Sequence, residues 1–299
     1  MNRVLSLFPF ALLVISSVAQ VSNRNPCPVT PGLTSSPVHQ DSQEEENSVT
    51  IRSVSFLEGT QLSLPVGLKE HVLQGVTSRG NDAEFRYSAQ NWSNELVDRV
   101  AYALGDFGYY KASPRIANVL PVPDQSDTYD VVIDLQELGP VYRVRELQFS
   151  GSRAFPTTEL CKQFKFADGD IFNRTKVGEG LEAVRQLYGT KGYINFTSVP
   201  DTVDHGDNSI TIKIDMDDGS QYRIASTTLL GIGEERSKRI LMGTGLEPGS
   251  IFDPSAVERF FAAHRDLVGD LPTYAVSEIQ QNESNKTVIL IFDLRRCGE

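Results

Sequence analysis

The sequence predicts an α+β protein built from tandem β-α-α-β-β units. One observation is a long internal repeat. Tyr142-Arg143-Val144 returns as Tyr222-Arg223-Ile224, Gly151 as Gly231, and Gly169 with Ile171-Phe172 as Gly249 with Ile251-Phe252. Val177, Ala183, Arg185, Leu187 and Gly189 return as Val257, Ala263, Arg265, Leu267 and Gly269 at the same spacing, so no insertion separates the copies. A repeat of this length is a structural unit. The other observation is that apolar residues change their period inside the unit, from strand-like to helix-like and back.

In the middle copy, Val141, Tyr142, Val144, Leu147 and Phe149 form a β-rich run ended by Gly151, which suits a strand leaving into a turn. Thr157-Thr158-Glu159 opens a short helix with Leu160 and Phe164 on one side. Asn173 stands where Asp253-Pro254 stands in the next copy, a helix-start signal of cap residue and first-turn proline. Val177, Leu181, Val184, Leu187 and Tyr188 then share one face of an amphipathic helix, which Gly189 and Gly192 stop. Tyr193–Val199 is an extended run, His205–Asn208 a turn, and Ile210, Ile212 and Ile214 alternate as a half-buried strand.

Val49–Gly139 is a more divergent first copy. Ile51, Val54, Phe56 and Leu57 lead to Gly59, Leu68–Val76 and Ser93–Phe107 supply two helices, and Tyr129–Leu135 is the last strand. Between the helices runs a polar loop, Thr77–Asn91. The third copy, from Tyr222, ends in the strand Thr287–Leu294.

The unit resembles the polypeptide-transport-associated (POTRA) domain of the Omp85 family. Four features carry the resemblance: the strand-to-glycine opening Tyr142–Gly151, the Gly169–Phe172 segment before the second helix, the ending Leu187-Tyr188…Gly192-Tyr193, and the acidic exit Asp217-Asp218-Gly219 before Tyr222. The resemblance implies three modules, each a small mixed three-stranded sheet covered on one face by two helices, in an elongated arm. It also makes Tyr142, Gly151, Gly192, Tyr193, Tyr222 and Gly231 fold-defining positions. The expected boundaries are 48–140, 141–221 and 222–299. Barrel strands, which read as repeated alternating segments, do not follow, so the expectation is modules without their pore.

Before the modules, Met1–Ala19 reads as a secretory signal peptide, with Arg3, an apolar stretch and Ser17-Val18-Ala19; the apolar run is short for a spanning helix. Gln20–Asn47, rich in Pro, Ser, Thr and Gln, reads as a disordered spacer. The formal net charge is −11 with no basic stripe, which argues against nucleic acid or anionic lipid as a partner. Three cysteines are an odd number for an exported chain. Cys161 reads as a small buried residue, and a Cys27–Cys297 bridge stays open. Sequons begin at Asn91, Asn173, Asn195, Asn282 and Asn285 and are read as chance.

The residues suggest no catalyst, cofactor or metal. His39, His71, His205 and His264 are scattered, with His264 read as a packed or edge histidine, and no nucleophile elbow occurs. Asp215-Met216-Asp217-Asp218-Gly219 lacks the spacing and twelfth-position glutamate of a calcium loop and reads as a solvated strand exit. An edge strand of such a sheet carries unpaired N–H and C=O groups and can accept an extended peptide.

The expected edges are the second strands: Arg115, Ile116 and Asn118; Ile194, Phe196 and Ser198; Tyr274, Val276 and Glu278. Pro114, Pro121 and Pro200 are the features that would block them. The resemblance implies a non-catalytic periplasmic array, associated with the outer membrane of a Gram-negative-type bacterium, with no span of its own. Its partners would be unfolded or nascent outer-membrane polypeptides, or subunits of an outer-membrane assembly complex. A purely architectural scaffold and an exported enzyme on an unrelated α+β fold are the alternatives. Gly219 runs almost directly into Tyr222, so stiff joints are expected.

Overall fold

The computed structural model describes residues 48–57, 64–77, 86–135, 138–268 and 277–295. The signal-peptide and spacer segments, Cys27, Cys297, Tyr274 and Val276 lie outside them.

Among the described residues, three sheets follow one another along the chain. The first holds β1 (Ser48–Phe56), β2 (Arg86–Ser88), β3 (Arg115–Pro121) and β4 (Thr128–Asp134), with α1 (Leu68–Thr77) and α2 (Trp92–Gly105) between. The second holds β5 (Arg143–Ser150), β6 (Thr197–Asp204) and β7 (Ser209–Asp217), with α3 (Thr157–Cys161) and α4 (Arg174–Thr190). The third holds β8 (Arg223–Leu230), β9 (Ser277–Asn282) and β10 (Thr287–Asp293), with α5 (Glu234–Leu241), α6 (Pro254–Ala263) and α7 (Arg265–Val268). Strand orders are β2-β1-β4-β3, β5-β7-β6 and β8-β10-β9. In each, the last strand is central, parallel to the first and antiparallel to its hairpin partner.

The first sheet has four strands where three were expected. The polar loop contributes β2, held by Tyr87, which is 1% exposed and whose hydroxyl donates to the Val76 carbonyl at 3.2 Å. A three-residue strand carries too little alternation to register as a period. Every first strand also carries a register shift, at Arg52, Arg145 and Ala225. Arg52 reaches from its bulge to Asp130, and Arg145 to Asp207 at 2.6 Å.

The helices start where cap chemistry places them. Asn173 accepts from the Lys176 N–H at 2.8 Å, and Asp253 from the Ser255 N–H at 2.9 Å with Pro254 in the first turn. Val177, Gly180, Val184 and Tyr188 are the buried residues of α4. Gly180 is there because the Phe164 ring lies where a β-carbon would stand. Gly151 has φ +82 and sits against the Met216 carbonyl, so it satisfies both demands of the turn after β5.

Asp218 corrects the reading of a solvated acidic exit. It is 3% exposed and accepts from Arg153 N–H at 2.8 Å, Ala154 N–H at 3.0 Å and the Tyr188 hydroxyl at 2.7 Å. The exit of β7 is thereby fastened to the turn after β5 and to the end of α4. A buried carboxylate survives only with such partners.

The joints repeat one backbone lock. Tyr142 N–H donates to the Gly108 carbonyl and Tyr222 N–H to the Gly192 carbonyl, both at 2.8 Å. The Tyr142 and Tyr222 carbonyls then accept from Phe172 and Phe252 N–H, at 2.9 and 3.0 Å. Gly108 and Gly192 have φ +84 and +80, and a β-carbon on either would strike the following module. Side chains distinguish the joints. At the first, Asp106 caps α4 through Thr175 N–H at 2.7 Å and Thr175 hydroxyl at 2.8 Å. The same carboxylate meets His71 Nε2 at 2.7 Å. Tyr110 reaches Thr202, and Lys111 reaches Asp204 and holds that carboxyl below its ordinary range. At the second joint Thr190 stands in the place of Asp106, and its hydroxyl, among the described residues, bonds only its own helix, at the Leu187 carbonyl. Gln221 to the Lys191 carbonyl and Asn195 to the Tyr222 hydroxyl, each 3.0 Å, complete that joint.

Gly180→Ala sets a helix-propensity gain of about 1 kcal/mol against overpacking by the Phe164 ring, about 1–3 kcal/mol. The ring is expected to win, giving a net loss in urea unfolding. Asp106→Ala removes a cross-module helix cap of about 1 kcal/mol. It is expected to broaden spin-label distances across the first joint, whereas Thr190→Ala leaves the second unchanged. Burial raises Tyr87 and Tyr188 to about 12. Because the unfolded phenols ionise near 10, these two contribute stability that is full below that pH and falls between about 10 and about 12. Absorbance at 295 nm is expected to show the late phenolate step coinciding with loss of near-UV circular dichroism.

Candidate functional site

Each sheet offers two edges, and backbone parity decides what an edge presents. In an antiparallel pair, bonded and non-bonded residue pairs alternate. Pro200 has no N–H, so its pairing with Ile214 is a non-bonded one. The register of β6 against β7 is regular, so Ser198, Thr202 and Asp204 share that parity and turn their N–H outward. The Asp201 side chain accepts from Thr202 N–H at 2.8 Å, as this geometry requires. The outer edge of β6 therefore lacks a donor at Pro200, has one occupied at Thr202, and meets Tyr110 and Lys111 at its far end.

Strand β3 is blunted by the same means. Asn118 accepts from Val119 N–H at 2.9 Å, Pro121 supplies no donor, and the register shifts between Ile116 and Asn118. Pro, self-capping side chains and bulges are how sheet edges are kept from unselective pairing. The corresponding β9 pairs regularly with β10 and has no proline.

The expected edge residues separate on this frame. Arg115, Ile116 and Asn118 do lie on β3, with Ile116 packed on the first core and Asn118 spent on its own strand. Ser198 lies on β6, and Glu278 on β9, where its carboxylate accepts from Gln280 at 2.8 Å. Ile194 and Phe196 are corrections, because β6 begins only at Thr197. Ile194 packs onto the third module's core, and Phe196 is 9% exposed and stacked on Tyr188 at 3.9 Å. The extended run at Tyr193 serves the joint, and Pro200, which looked like the end of the strand, lies inside it. Tyr142 and Tyr222 are core residues at the joints, and Tyr193 packs edge-on against Tyr188. Gly231, with φ +88, sits against Arg295 as Gly151 sits against Met216.

Cys161 is exposed, not buried, and lines a cleft of about 550 Å³ with Glu146, Leu147, Phe166, Ala167 and Asp168. The sequence did signal this region. Core-facing residues run Tyr142, Val144, then Leu147 and Phe149, and that change of phase marks the bulge at Arg145. His264 ends α6 with Nδ1 2.9 Å from the Phe260 carbonyl. Among the described residues no group of three or more His, Cys, Asp or Glu is placed to hold a metal, and no helix is long and apolar enough to cross a membrane.

Residues 142–217 match the family model POTRA, described as a surface antigen variable number repeat. The outer membrane protein assembly factor BamA of Neisseria meningitidis serogroup B is 23% identical over 181 residues, 55% of this chain and 22% of that protein. A putative outer membrane protein assembly factor of Treponema pallidum is 26% identical over 159 residues, 48% of this chain and 19% of that one. The chain thus spans about a fifth of the length of these relatives. The crystal structure of Haemophilus influenzae BamA POTRA3-5 shares the fold, with a TM-score of 0.54 at 17% identity over 84% of this chain and 97% of that one. The family match falls on the middle sheet, and the neighbouring sheets repeat its strand order across the same backbone lock, so residues 142–217 match POTRA and the modules on either side share its fold.

Proposed function

We propose that this chain is a non-catalytic periplasmic arm that binds extended polypeptide during outer-membrane protein assembly or transport. Its modules would run 48–140, 141–221 and 222–299. The observation that carries the reading is the repeated mixed sheet held to the next by a backbone lock, which sets several sheet edges at fixed spacing. Main-chain pairing at an edge is indifferent to most of the bound sequence, which suits a binder of unfolded clients. The relatives are named as outer membrane protein assembly factors, which supports outer-membrane proteins as the client class.

A scaffold that docks onto an outer-membrane complex and touches no client is the second reading. The blunted edges of β3 and β6 favour it.

Hydrogen exchange separates the two. The full chain is mixed with an outer-membrane barrel protein diluted from urea, and amide protection is mapped. Protection gained along strand edges is the expected result. Protection confined to exposed helix faces, or none with the barrel protein still aggregating, would overturn client binding at the edges.

A further inference from the structure

The edge of the middle module least closed to an added strand belongs to its first strand. On a strand of given direction, residues facing the same side send their N–H and C=O the same way. Val144, 2% exposed and core-facing, donates to the Asp170 carbonyl at 2.9 Å and accepts from Gly169 N–H at 2.7 Å, both away from β7. The shift at Arg145 changes the phase, so Leu147 and Phe149 become the residues packed on the core. Their N–H and C=O groups therefore also point away from β7. Among the described residues, no backbone hydrogen bond from outside the β5–β7 ladder reaches 146–149. The segment 169–172 that covers the start of β5 stops short of them.

This stretch opens on the cleft of about 550 Å³, within the ~300–1,000 Å³ of ordinary ligand clefts. Half-buried Leu147 and Phe166 give it an apolar floor, and exposed Glu146 and Asp168 an acidic rim, Glu146 also accepting from the Gln148 side chain at 2.6 Å. The third module shows the closed alternative. There Thr227 replaces Leu147 and its hydroxyl donates to the Leu246 carbonyl at 2.6 Å, while Leu246, in the place of Phe166, is 0% exposed. Leucine at 147 has no hydroxyl to make that bond, and Phe166 stays partly exposed.

Resting on the edge-binding reading above, we propose that the middle module takes an extended client segment along β5, not β6. The ladder forms with Leu147 and Phe149. An apolar client side chain enters the cleft over Leu147 and Phe166, and a lysine or arginine beside it meets Glu146 and Asp168. The acidic rim selects against this chain's own Glu44-Glu45-Glu46 segment as occupant.

The probe is a ten-residue peptide alternating valine with threonine, with lysine at both ends. Cys161 serves as a native reporter in a full chain carrying Cys27→Ser and Cys297→Ser. A version of the peptide whose cysteine is activated as its 2-thiopyridyl mixed disulfide is expected to exchange with Cys161, releasing 2-thiopyridone, at least about tenfold faster than with a thiol placed by Val199→Cys in a Cys161→Ser background. Fluorescence anisotropy of the thiol-free peptide is expected to show about tenfold or more weakening on Glu146→Lys with Asp168→Lys. N-methylation of alternate peptide bonds is expected to abolish binding on one phase and spare it on the other.

Trapping at the Val199→Cys position with Cys161 inert would overturn the β5 assignment and leave edge binding standing. Equal binding of both N-methylated peptides would overturn the ladder, and Cys161–Cys161 dimers formed without peptide under copper–phenanthroline oxidation would give the cleft to a second copy. Failure of the peptide to bind at all would remove the edge-binding reading with it.

Discussion

Two backbone hydrogen bonds organise this molecule. The carbonyls of Gly108 and Gly192, just past the ends of α2 and α4, accept the N–H groups of Tyr142 and Tyr222 at the entrances of the next sheets. The carbonyls that a helix end leaves without intrahelical partners are met locally, Leu104 by Tyr109 N–H and Tyr188 by Tyr193 N–H, and the glycine carbonyls beyond them receive the donor of the following module. The same tyrosines are core residues of the modules they open, and their carbonyls anchor Phe172 and Phe252. One short segment therefore serves the joint, the first strand and the start of the second helix. That leaves no room for a linker and fixes how one sheet is presented beside the next.

The lock is common to both joints, but its reinforcement is not. Asp106 gathers His71, the Thr175 amide and the Thr175 hydroxyl into one half-buried cluster at the first joint. Thr190 at the equivalent place turns back on its own helix. Exposed ion pairs add little to stability, so the first joint gains chiefly from the capped helix and from Tyr110, whose ring packs against Tyr142 and Phe172 at 5.5 Å. A tandem array can thus hold one pair of modules more firmly than the other without changing the fold of either.

The same economy governs the edges. Strands β3 and β6 both remove one donor with proline and occupy a second with a neighbouring Asn or Asp. The bulge at Arg145 works the other way, turning Leu147 and Phe149 toward an edge that the preceding residues keep covered. Which edges accept a strand is therefore set by single residues on a shared scaffold.

The β-α-α-β-β order of the middle module, the helix starts at Asn173 and Asp253-Pro254, and the tight joints were legible in the sequence, because each rests on local chemistry repeated in phase. Tertiary structure decided the rest. Asp218 is buried because Tyr188 and two amides from a distant turn converge on it. Cys161 is exposed because α3 ends beside an open cleft, and Phe196 is buried because it stacks on Tyr188. Strand β2 exists because Tyr87 fills the first core. These placements depend on partners far apart in the chain, and such partners leave no period to read. The edge register lay between the two: Pro200 marked the parity of β6 in the sequence, but its meaning required knowing that Ile214 stood opposite.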